Sequence, residues 1–521
     1  MAGTSVTPHP DCQSSEGHCV AQIQHLDWIG GWDVDRDGRA LLEEPVKRAR
    51  QTSGGRSTIG SERASGGGEF GCIQRFEQGG SVSTWPGVRR LLRTLPNGRA
   101  EKREDVEVFQ ARCLRRLVSH AYQNVPYYRR LFDRNGIDPR DIRSAGDLGH
   151  VPETTKQDLQ NCPPGDLVPR GVDPSSLIPL KTTGSSGQPL IVRRSWFEQT
   201  LLHGFLLRIN RRYGLKVRDH MVGIGVVKRT TRREHKGLGK ALRRLGFYRV
   251  TRISTALEPR DILSRLTELQ PDIVTGYASV LAKIGQMMSD QDRRALRPRF
   301  LMSGAEVLTS HRRSRITKGF GAPVYDVYGS VEFHTLAWEC AETGEMHTCD
   351  DSVIVDVVRK GRSVPPTEQG EVVATALHSY AMPLIRYRLG DVVTRGAACC
   401  SCGEPYSTIR GVQGRMAQYI PLPTGRQVHV AELDDKIRGG TETWVTQYQF
   451  VQKQRDLIVV QAVPSEHPSA DDLKEMKTAL KSLVGRGMEI DIRLVDEIRI
   501  SPGGKFELYI SEMEPVPGTE D

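Results

Sequence analysis

The sequence lacks two features that would place the protein in or across a membrane. It contains no run of about 18 apolar residues, the length that a helix needs to cross a bilayer. Residues 1–15 also lack a basic segment followed by an apolar one, so they do not form a secretory signal. We therefore expect a cytoplasmic protein without a membrane span.

Acidic residues are outnumbered by basic ones, and the formal net charge is +10. Such a charge suits anionic partners such as nucleotides, coenzyme A, nucleic acid or a membrane surface, although an arginine-rich soluble protein would show it too. Residues 228–252 are dense in arginine and lysine, but they lack interleaved aromatic residues. We therefore predict no groove for single-stranded nucleic acid there. A docking surface for a phosphate-rich tail or an anionic membrane is one interpretation of the segment, and a solvated helix face is the favoured one.

The ten cysteines are unevenly distributed, and five of them lie between Cys340 and Cys402. In a chain without a secretory signal, such clustering indicates a metal site or free thiols before it indicates disulfides.

The pattern of apolar residues predicts the domain organisation. Residues 1–85 are poor in apolar periodicity and contain glycine clusters, so we predict a mostly disordered leader. Regular structure is expected from around Val106. Strand-like and helix-like segments then alternate between residues 221 and 327, which predicts an α/β domain with largely parallel sheets. Beyond residue 415, two strands, a helix and a further strand predict a compact α+β unit.

A stretch rich in hydroxyls and glycine, residues 182–189, is the first candidate functional segment. It separates two short apolar runs that are typical of hairpin strands. Glycines let backbone N–H groups converge on one point and short hydroxyls add donors, so this turn can wrap a polyphosphate. It lacks the glycine-lysine-serine ending of a Walker loop, and on its own a plain surface turn is the commoner explanation. The candidate phosphate-binding residues are Thr182, Thr183, Gly184, Ser185, Ser186 and Gly187.

Three further segments carry groups suited to nucleotide chemistry. Tyr328 and Gly329 precede Glu332, a carboxylate after a predicted strand that can hold phosphate-bound Mg²⁺. Asp391 follows another predicted strand and can accept hydrogen bonds from both hydroxyls of a ribose. Lys505 lies at a glycine-rich tip near the C-terminus. Taken singly, each of these residues is explained by an ordinary turn.

Together, these motifs resemble the adenylate-forming enzymes, and among them the chain is most similar to the phenylacetate–CoA ligase family. The motifs that occur in the family's order are residues 182–189, 328–332, 387–391, 414–415 and 503–505. Residues 125–128, 154–156 and 381–388 are similar to that branch in particular. The resemblance covers the chain from about Val106 to its end.

The resemblance implies two domains and a two-step reaction. A large, multi-subdomain N-terminal adenylation domain would span residues 86–413, and a small, mobile α+β domain would span residues 414–521 after a hinge near Gly414 and Arg415. ATP would activate a carboxylic acid to an acyl-adenylate with release of pyrophosphate. The small domain would then rotate and admit the thiol of coenzyme A, giving an acyl-CoA thioester and AMP.

The resemblance also implies a role for each candidate residue. Lys505 would supply a cation to the α-phosphate, Glu332 would hold Mg²⁺, and the loop at residues 182–187 would cover the β and γ phosphates. Asp391 and Arg415 would bind the ribose. Further nucleotide contacts would come from an adenine-facing segment and the strand motif, namely Ser303, Gly304, Ala305, Glu306, Tyr328 and Gly329. By position, the acid pocket would be lined by Tyr277, Ala278, His334 and Thr335.

Some members of this branch bind zinc through cysteines and a histidine. Three sulfurs and one imidazole form a closed tetrahedral set suited to a structural Zn²⁺. The corresponding residues here are Cys340, His347, Cys400 and Cys402. Cys349 and Cys399 are less favoured as ligands, and a loop of reduced cysteines remains the alternative.

The sequence departs from the family pattern in three places. Leu190 follows the proline of the phosphate loop, where many adenylate-forming enzymes carry a lysine, although a leucine is usual in this branch. Glu404 stands where the family often has an arginine. Ala417 and Gln418 replace the usual acidic pair after the hinge glycine and arginine. Because of the last departure, the residue that acts as the pivot of the hinge is not identified.

Two other functions compete with a CoA ligase. One is an adenylyltransferase or carboxylate-activating enzyme of cofactor or polysaccharide metabolism that does not use coenzyme A. The other is a basic zinc protein that binds nucleic acid, which leaves Glu332, Asp391 and Lys505 unexplained, so we predict no nucleic-acid partner. The sequence indicates neither the acid substrate nor the oligomeric state.

Overall fold

The computed structural model describes residues 86–94, 102–182, 189–225, 249–412, 419–440, 444–464, 467–498 and 508–513. The predicted leader lies outside these ranges, as does most of the basic segment. The described chain divides into two units, a large one that ends at Tyr419 and a small one that begins at Ile420. The expected hinge at Gly414 and Arg415 is also outside the described residues, so the predicted domain boundary there stays a prediction.

The large unit contains helices of very different length. The α-helices are α1 (Pro86–Thr94), α2 (Arg103–Asn124), α3 (Pro126–Arg134), α4 (Lys156–Gln160), α5 (Trp196–Arg212), α6 (Pro259–Leu269), α7 (Ala278–Met287), α8 (Asp290–Ala295) and α9 (Ser310–Phe320). Short 3-10 helices lie at Pro139–Asp141, Ala145–His150, Pro164–Asp166 and Pro174–Ser176.

Hydroxyl side chains fix where several helices begin. In α4, α5, α8 and α9, a serine or threonine oxygen just before the helix accepts a hydrogen bond from a backbone N–H in the first turn. The predicted cap at Thr155 is confirmed by its bond from Asp158 N. These caps satisfy donors that have no partner within the helix itself.

Regular structure begins earlier than expected from the apolar pattern. Helix α1 precedes Val106 by more than ten residues, and its Arg90 is buried, with Nε 3.1 Å from Asp351 Oδ2. Arg208 of α5 donates to the same carboxylate through both terminal nitrogens. The prediction missed α1 because a contact between residues 90 and 351 leaves no local trace in the sequence.

The strands of the large unit form a two-stranded hairpin and a twelve-stranded sheet. The hairpin strands are β1 (Ile178–Lys181) and β2 (Ile191–Arg194). The sheet strands are β3 (His220–Gly225), β4 (Arg249–Ser254), β5 (Ile273–Gly276), β6 (Phe300–Gly304), β7 (Val324–Ser330), β8 (His334–Glu339), β9 (Met346–Thr348), β10 (Val353–Arg359), β11 (Arg362–Ser363), β12 (Gln369–Ala376), β13 (Tyr387–Arg395) and β14 (Thr408–Arg410).

The large sheet changes from parallel to antiparallel pairing along its width. Its order is β11-β10-β12-β13-β14-β9-β8-β7-β6-β5-β3-β4. Strands β3 to β7 pair in parallel, whereas pairing from β7 through β8 to β11 is antiparallel. The predicted α/β class is confirmed, and the parallel strands that the βα rhythm indicated make up one side of the sheet. The change of direction at β7 and β8 is where the Glu332 motif lies.

The described residues of the small unit form a four-stranded sheet of order β19-β18-β17-β20, a two-stranded sheet of β15 and β16, and two helices. Its elements are β15 (Tyr419–Pro421), β16 (Gln427–His429), α10 (Val430–Gly440), β17 (Val445–Gln454), β18 (Leu457–Pro464), α11 (Ala470–Val484), β19 (Glu489–Leu494) and β20 (Tyr509–Ser511). Its core includes Trp444, Phe450, Ile458 and Leu480. This α+β arrangement agrees with the prediction. In neither unit is any described helix long and apolar enough to cross a bilayer.

Candidate active site

The structure describes most, but not all, of the predicted site residues. Those outside the described residues are Thr183, Gly184, Ser185, Ser186, Gly187, Arg415 and Lys505. Thr182 is described and buried at the base of the hairpin. Its N–H donates to Leu190 O and its Oγ1 accepts from Leu190 N, both at 2.9 Å. Strands β1 and β2 are thereby held together on either side of the predicted phosphate loop.

Two of the predicted nucleotide residues meet directly. Tyr328 Oη of β7 donates a hydrogen bond of 2.6 Å to Asp391 Oδ2. Asp391 lies inside β13 and not after a strand, which corrects its expected position. Gly390, with φ of 79°, forms a bulge there, since residues 388 and 392 of β13 pair with residues 373 and 371 of β12. A bulge re-aims the side chains that follow it, and this one accompanies the contact of Asp391 with Tyr328.

The predicted magnesium ligand is held by a residue that the prediction did not include. Glu332 lies in the β7–β8 turn and is 7% exposed. Tyr387, the first residue of β13, places its Oη 3.3 Å from Glu332 Oε1 as a donor. The turn is tight, because a Cβ on Gly329 would lie 2.2 Å from His334 O. Tyr387 opens the 387–391 motif, so that motif offered the signal that could have identified it.

The predicted adenine segment follows β6 and contacts the start of α7. Ala305 adopts φ of 66°, and the carboxylate of Glu306 accepts hydrogen bonds from Ser279 N at 2.8 Å and Ser279 Oγ at 3.0 Å. Ser279 directly follows Tyr277 and Ala278. The structure therefore brings the adenine segment together with one part of the predicted acid pocket.

A second carboxylate near this segment was not predicted. Asp326 of β7 accepts a hydrogen bond of 2.8 Å from Ser303 Oγ. Burial raises the pKa of Asp326 to about 7, although its bond from Ser303 opposes that shift. Asp326 thus titrates near neutral pH beside the residues predicted to face the adenine.

The predicted acid-pocket residues lie on separated strands. Tyr277 and Ala278 follow β5, whereas His334 begins β8, three strand positions away in the sheet. At about 4.8 Å per position, their backbones are separated by roughly 14 Å. His334 packs edge-on against the ring of His203 in α5, with 5.0 Å between the ring centroids. A pocket lined by both groups would have to extend across the ends of β6 and β7.

The four predicted zinc ligands are brought together. The ligand atoms of Cys340, His347, Cys400 and Cys402 all lie within 4.8 Å of one another. Cys400 Sγ is 3.9 Å from Cys340 Sγ, and Cys402 Sγ is 3.4 Å from His347 Nε2. Tetrahedral Zn²⁺ bonds of about 2.3 Å to sulfur and 2.0–2.1 Å to nitrogen require separations of about 3.8 Å and 3.6 Å. The donor set therefore fits the ion, and Cys349 and Cys399 are not part of the group.

The cysteine and histidine residues come from two different parts of the sheet. Cys340 directly follows β8 and His347 lies in β9, while Cys400 and Cys402 lie between β13 and β14. Glu404, which departs from the family pattern, pairs with Arg212 of α5 at 2.7 Å. The acidic residue therefore joins this corner of the sheet to the end of α5.

Comparison with known proteins gives matches to both units. Residues 422–512 match the CapK C-terminal domain family. The phenylacetate-coenzyme A ligase of Thermus thermophilus is 28% identical over 346 residues, which are 62% of this chain and 72% of that protein. Protein CapK of Staphylococcus aureus is 22% identical over 417 residues, covering 79% of this chain and 90% of that protein.

Solved structures show the same fold at lower identity. A 2-hydroxyisobutyryl-CoA ligase in the postadenylation state, in complex with 2-HIB-AMP, superposes with a TM-score of 0.62 at 19% identity, covering 80% of this chain and 92% of that chain. An open conformation of the same ligase, in complex with 2-HIB-AMP and CoA, gives a TM-score of 0.52. With the ordered motifs, these likenesses confirm the resemblance: the chain is similar to phenylacetate-coenzyme A ligases in sequence and shares the fold of a solved acyl-CoA ligase.

Proposed function

We propose that the protein is an AMP-forming acid–thiol ligase that activates a carboxylic acid with ATP and transfers the acyl group to coenzyme A. In the first step, a carboxylate oxygen attacks the α-phosphorus and pyrophosphate leaves. In the second, the thiolate attacks the acyl carbonyl and AMP leaves. The observation that carries the proposal is a pair of hydrogen bonds, from Tyr387 to Glu332 and from Tyr328 to Asp391. They join the 328–332 motif to the 387–391 motif where the sheet changes from parallel to antiparallel pairing.

The described residues suit the binding of a nucleotide. Asp391 would accept hydrogen bonds from the ribose hydroxyls, while the bond from Tyr328 fixes its orientation. Glu332 would hold Mg²⁺, which usually takes one or two carboxylates and completes its shell with phosphate and water oxygens. When bound, that ion neutralises negative charge on the phosphates. Tyr387 donates to the carboxylate without cancelling its charge, so Glu332 remains suited to a cation.

The roles of the other nucleotide residues rest on the family resemblance. Lys505 would approach the α-phosphate, Arg415 the ribose, and the loop at residues 182–187 the β and γ phosphates. The small unit would be the mobile domain that presents Lys505 and then withdraws it for the thiol step.

We also propose that Cys340, His347, Cys400 and Cys402 hold a structural Zn²⁺. The separations of their ligand atoms support this assignment. Four protein ligands leave no open coordination position, so the ion would stabilise the fold and take no part in the reaction. It would link the end of β8 and strand β9 to the β13–β14 connection.

The test is ATP–pyrophosphate exchange across a library of carboxylic acids, followed by thioester detection with coenzyme A. We expect one group of acids to support exchange in wild type, and Lys505→Ala to abolish it while leaving ATP binding nearly intact. Absence of exchange with every acid would contradict the proposal. Unchanged exchange in Lys505→Ala would remove this residue from the mechanism.

A second candidate is an enzyme that activates a carboxylate without using coenzyme A. It is favoured by the match of residues 422–512 to the CapK C-terminal domain, since this unit would admit the acceptor. Exchange that is normal but never followed by a thioester would support it. AMP bound covalently to the acceptor would instead indicate an adenylyltransferase.

A further inference from the structure

Arg194 is the last residue of β2 and is buried, with 2% of its surface exposed. Its terminal nitrogen Nη2 donates to the main-chain carbonyls of Val331 and Glu332, both at 2.7 Å. Its other terminal nitrogen donates to Gln199 Oε1 at 3.1 Å. One guanidinium thus fixes two consecutive peptide units of the turn that carries the Glu332 carboxylate.

The guanidinium remains charged in this position. Burial lowers the pKa of Arg194 to about 10, and the charges of Glu198 and Glu332 oppose that shift. At neutral pH the group is still protonated. A buried cation is costly unless its surroundings compensate it, and here main-chain carbonyls and two carboxylates do so.

Glu198, four residues after Arg194, holds the segment that leads to Tyr387, the residue that donates to Glu332. Glu198 is fully buried in the first turn of α5, and its Oε1 accepts hydrogen bonds from Tyr380 N at 2.6 Å and Ala381 N at 2.9 Å. The segment that contains these two residues leads into Tyr387. The junction of β2 and α5 therefore anchors both segments whose side chains meet at Glu332.

We propose that Arg194 is a positioning residue for the metal-binding carboxylate of Glu332. It sits at the end of the hairpin that flanks the predicted phosphate loop, so it connects that hairpin to the Glu332 turn. The inference rests on the proposed function, because it assumes that Glu332 binds the metal–nucleotide complex. A purely structural arginine would stabilise the turn without affecting metal affinity.

The experiment measures Mn²⁺ binding to the full chain by electron paramagnetic resonance in the presence of a non-hydrolysable ATP analogue. The variants are Arg194→Met, which removes the donors, and Arg194→Lys, which keeps a cation with shorter reach. Arg193→Met is the matched control, since Arg193 donates within its own strand to Ile191 O. Thermal melting verifies that each variant is folded.

We expect Arg194→Met to weaken Mn²⁺ binding by about 10-fold to 100-fold, the usual effect of removing a residue that orients a metal ligand. Arg194→Lys should lie between Arg194→Met and wild type, and the control should stay within about 2-fold of wild type. In pyrophosphate exchange, the Mg²⁺ concentration for half-maximal rate should rise in the same order. If Arg194→Met does not fold, Arg194→Lys carries the comparison.

Unchanged Mn²⁺ affinity in a folded Arg194 variant would overturn the inference while leaving the proposed function intact. Failure of the wild-type protein itself to bind Mn²⁺ with the analogue would overturn both.

Discussion

Two regions of the large unit bury carboxylates in different ways. Glu332 and Asp391 each accept a hydrogen bond from a tyrosine hydroxyl. Asp351, which is fully buried, is bound by the guanidinium groups of Arg90 and Arg208. Burial raises the pKa of Asp351, but the charges of Arg208 and then Arg90 outweigh this and hold it well below its usual range.

We infer that the difference separates the carboxylates proposed to bind a ligand from one committed to the fold. A phenol orients a carboxylate and leaves its charge available to a cation. Two arginines neutralise the charge and bind the carboxylate to α1 and α5. Buried acids in this protein are therefore better distinguished by their donors than by their exposure.

The sharpest test of this comparison exchanges each acid for its amide. Glu332→Gln removes the charge but keeps an acceptor for Tyr387, so we expect catalysis of pyrophosphate exchange to fall by about 100-fold to 1000-fold. The free energy of unfolding should change by less than about 1 kcal/mol. Exchange kinetics and urea unfolding measure the two effects. A large loss of stability with retained activity would place Glu332 with the structural acids.

Asp351→Asn should show the opposite pattern. It leaves two buried guanidinium groups without their anion, and breaking a buried ion pair on one side costs about 3–5 kcal/mol. Activity per folded molecule should remain within about 2-fold of wild type. The measurements are urea unfolding and exchange rates normalised to folded protein. Wild-type stability in Asp351→Asn would contradict the structural role.

Removal of the proposed zinc tests a region whose crosslink would be a metal ion. The ligand atoms of Cys340, His347, Cys400 and Cys402 lie close together, so we expect the metal to crosslink β8 and β9 to the β13–β14 connection. Cys402→Ala or chelation should reduce stability by about 2–4 kcal/mol, the range for other crosslinks. Metal analysis and thermal melting measure this, with Cys399→Ala as the control because Cys399 is exposed. An equal melting temperature with and without metal would refute the zinc assignment.

Substitution of Tyr387 or Tyr328 should reduce activity less than the loss of the Glu332 carboxylate. Tyr387→Phe and Tyr328→Phe each remove one hydrogen bond to a carboxylate, which is worth about 1.5–3 kcal/mol when the acceptor is charged. We expect activity to fall by about 10-fold, with Mg²⁺ dependence altered in Tyr387→Phe and the KM for ATP raised in Tyr328→Phe. Initial-rate kinetics at varied Mg²⁺ and ATP distinguish them. Identical changes in both variants would mean that the two pairs act as one structural unit.

Local patterns in the sequence were sufficient for elements that bury one regular face. Most of the alternating strands and helices from β3 to β7, the cap of α4 at Thr155 and the α+β pattern of the small unit were predicted in this way, whereas β4, α8 and α9 were not. The cysteine and histidine set also came from its motif. Arg90 and Arg194 could not be found in the same manner, because they reach a carboxylate and a carbonyl that are far away in the chain. Such contacts arise only once the sheet and α5 are assembled.

Asp326 extends the comparison to a third kind of acid, one that burial causes to titrate near neutral pH. Burial raises its pKa to about 7 from an ordinary value of 3.8. Between these values the folded protein binds more protons than the unfolded chain, so stability should fall as the pH rises through this window. Asp326→Asn should flatten that dependence. Urea unfolding at a series of pH values from about 4 to 8 measures both curves, and parallel curves would show that another group is responsible. If the prediction holds, the three kinds of acid differ in their surroundings: burial outweighs a serine hydroxyl at Asp326, a phenol donates to each carboxylate proposed to bind the nucleotide or its metal, and guanidinium groups bind the carboxylate that holds the fold.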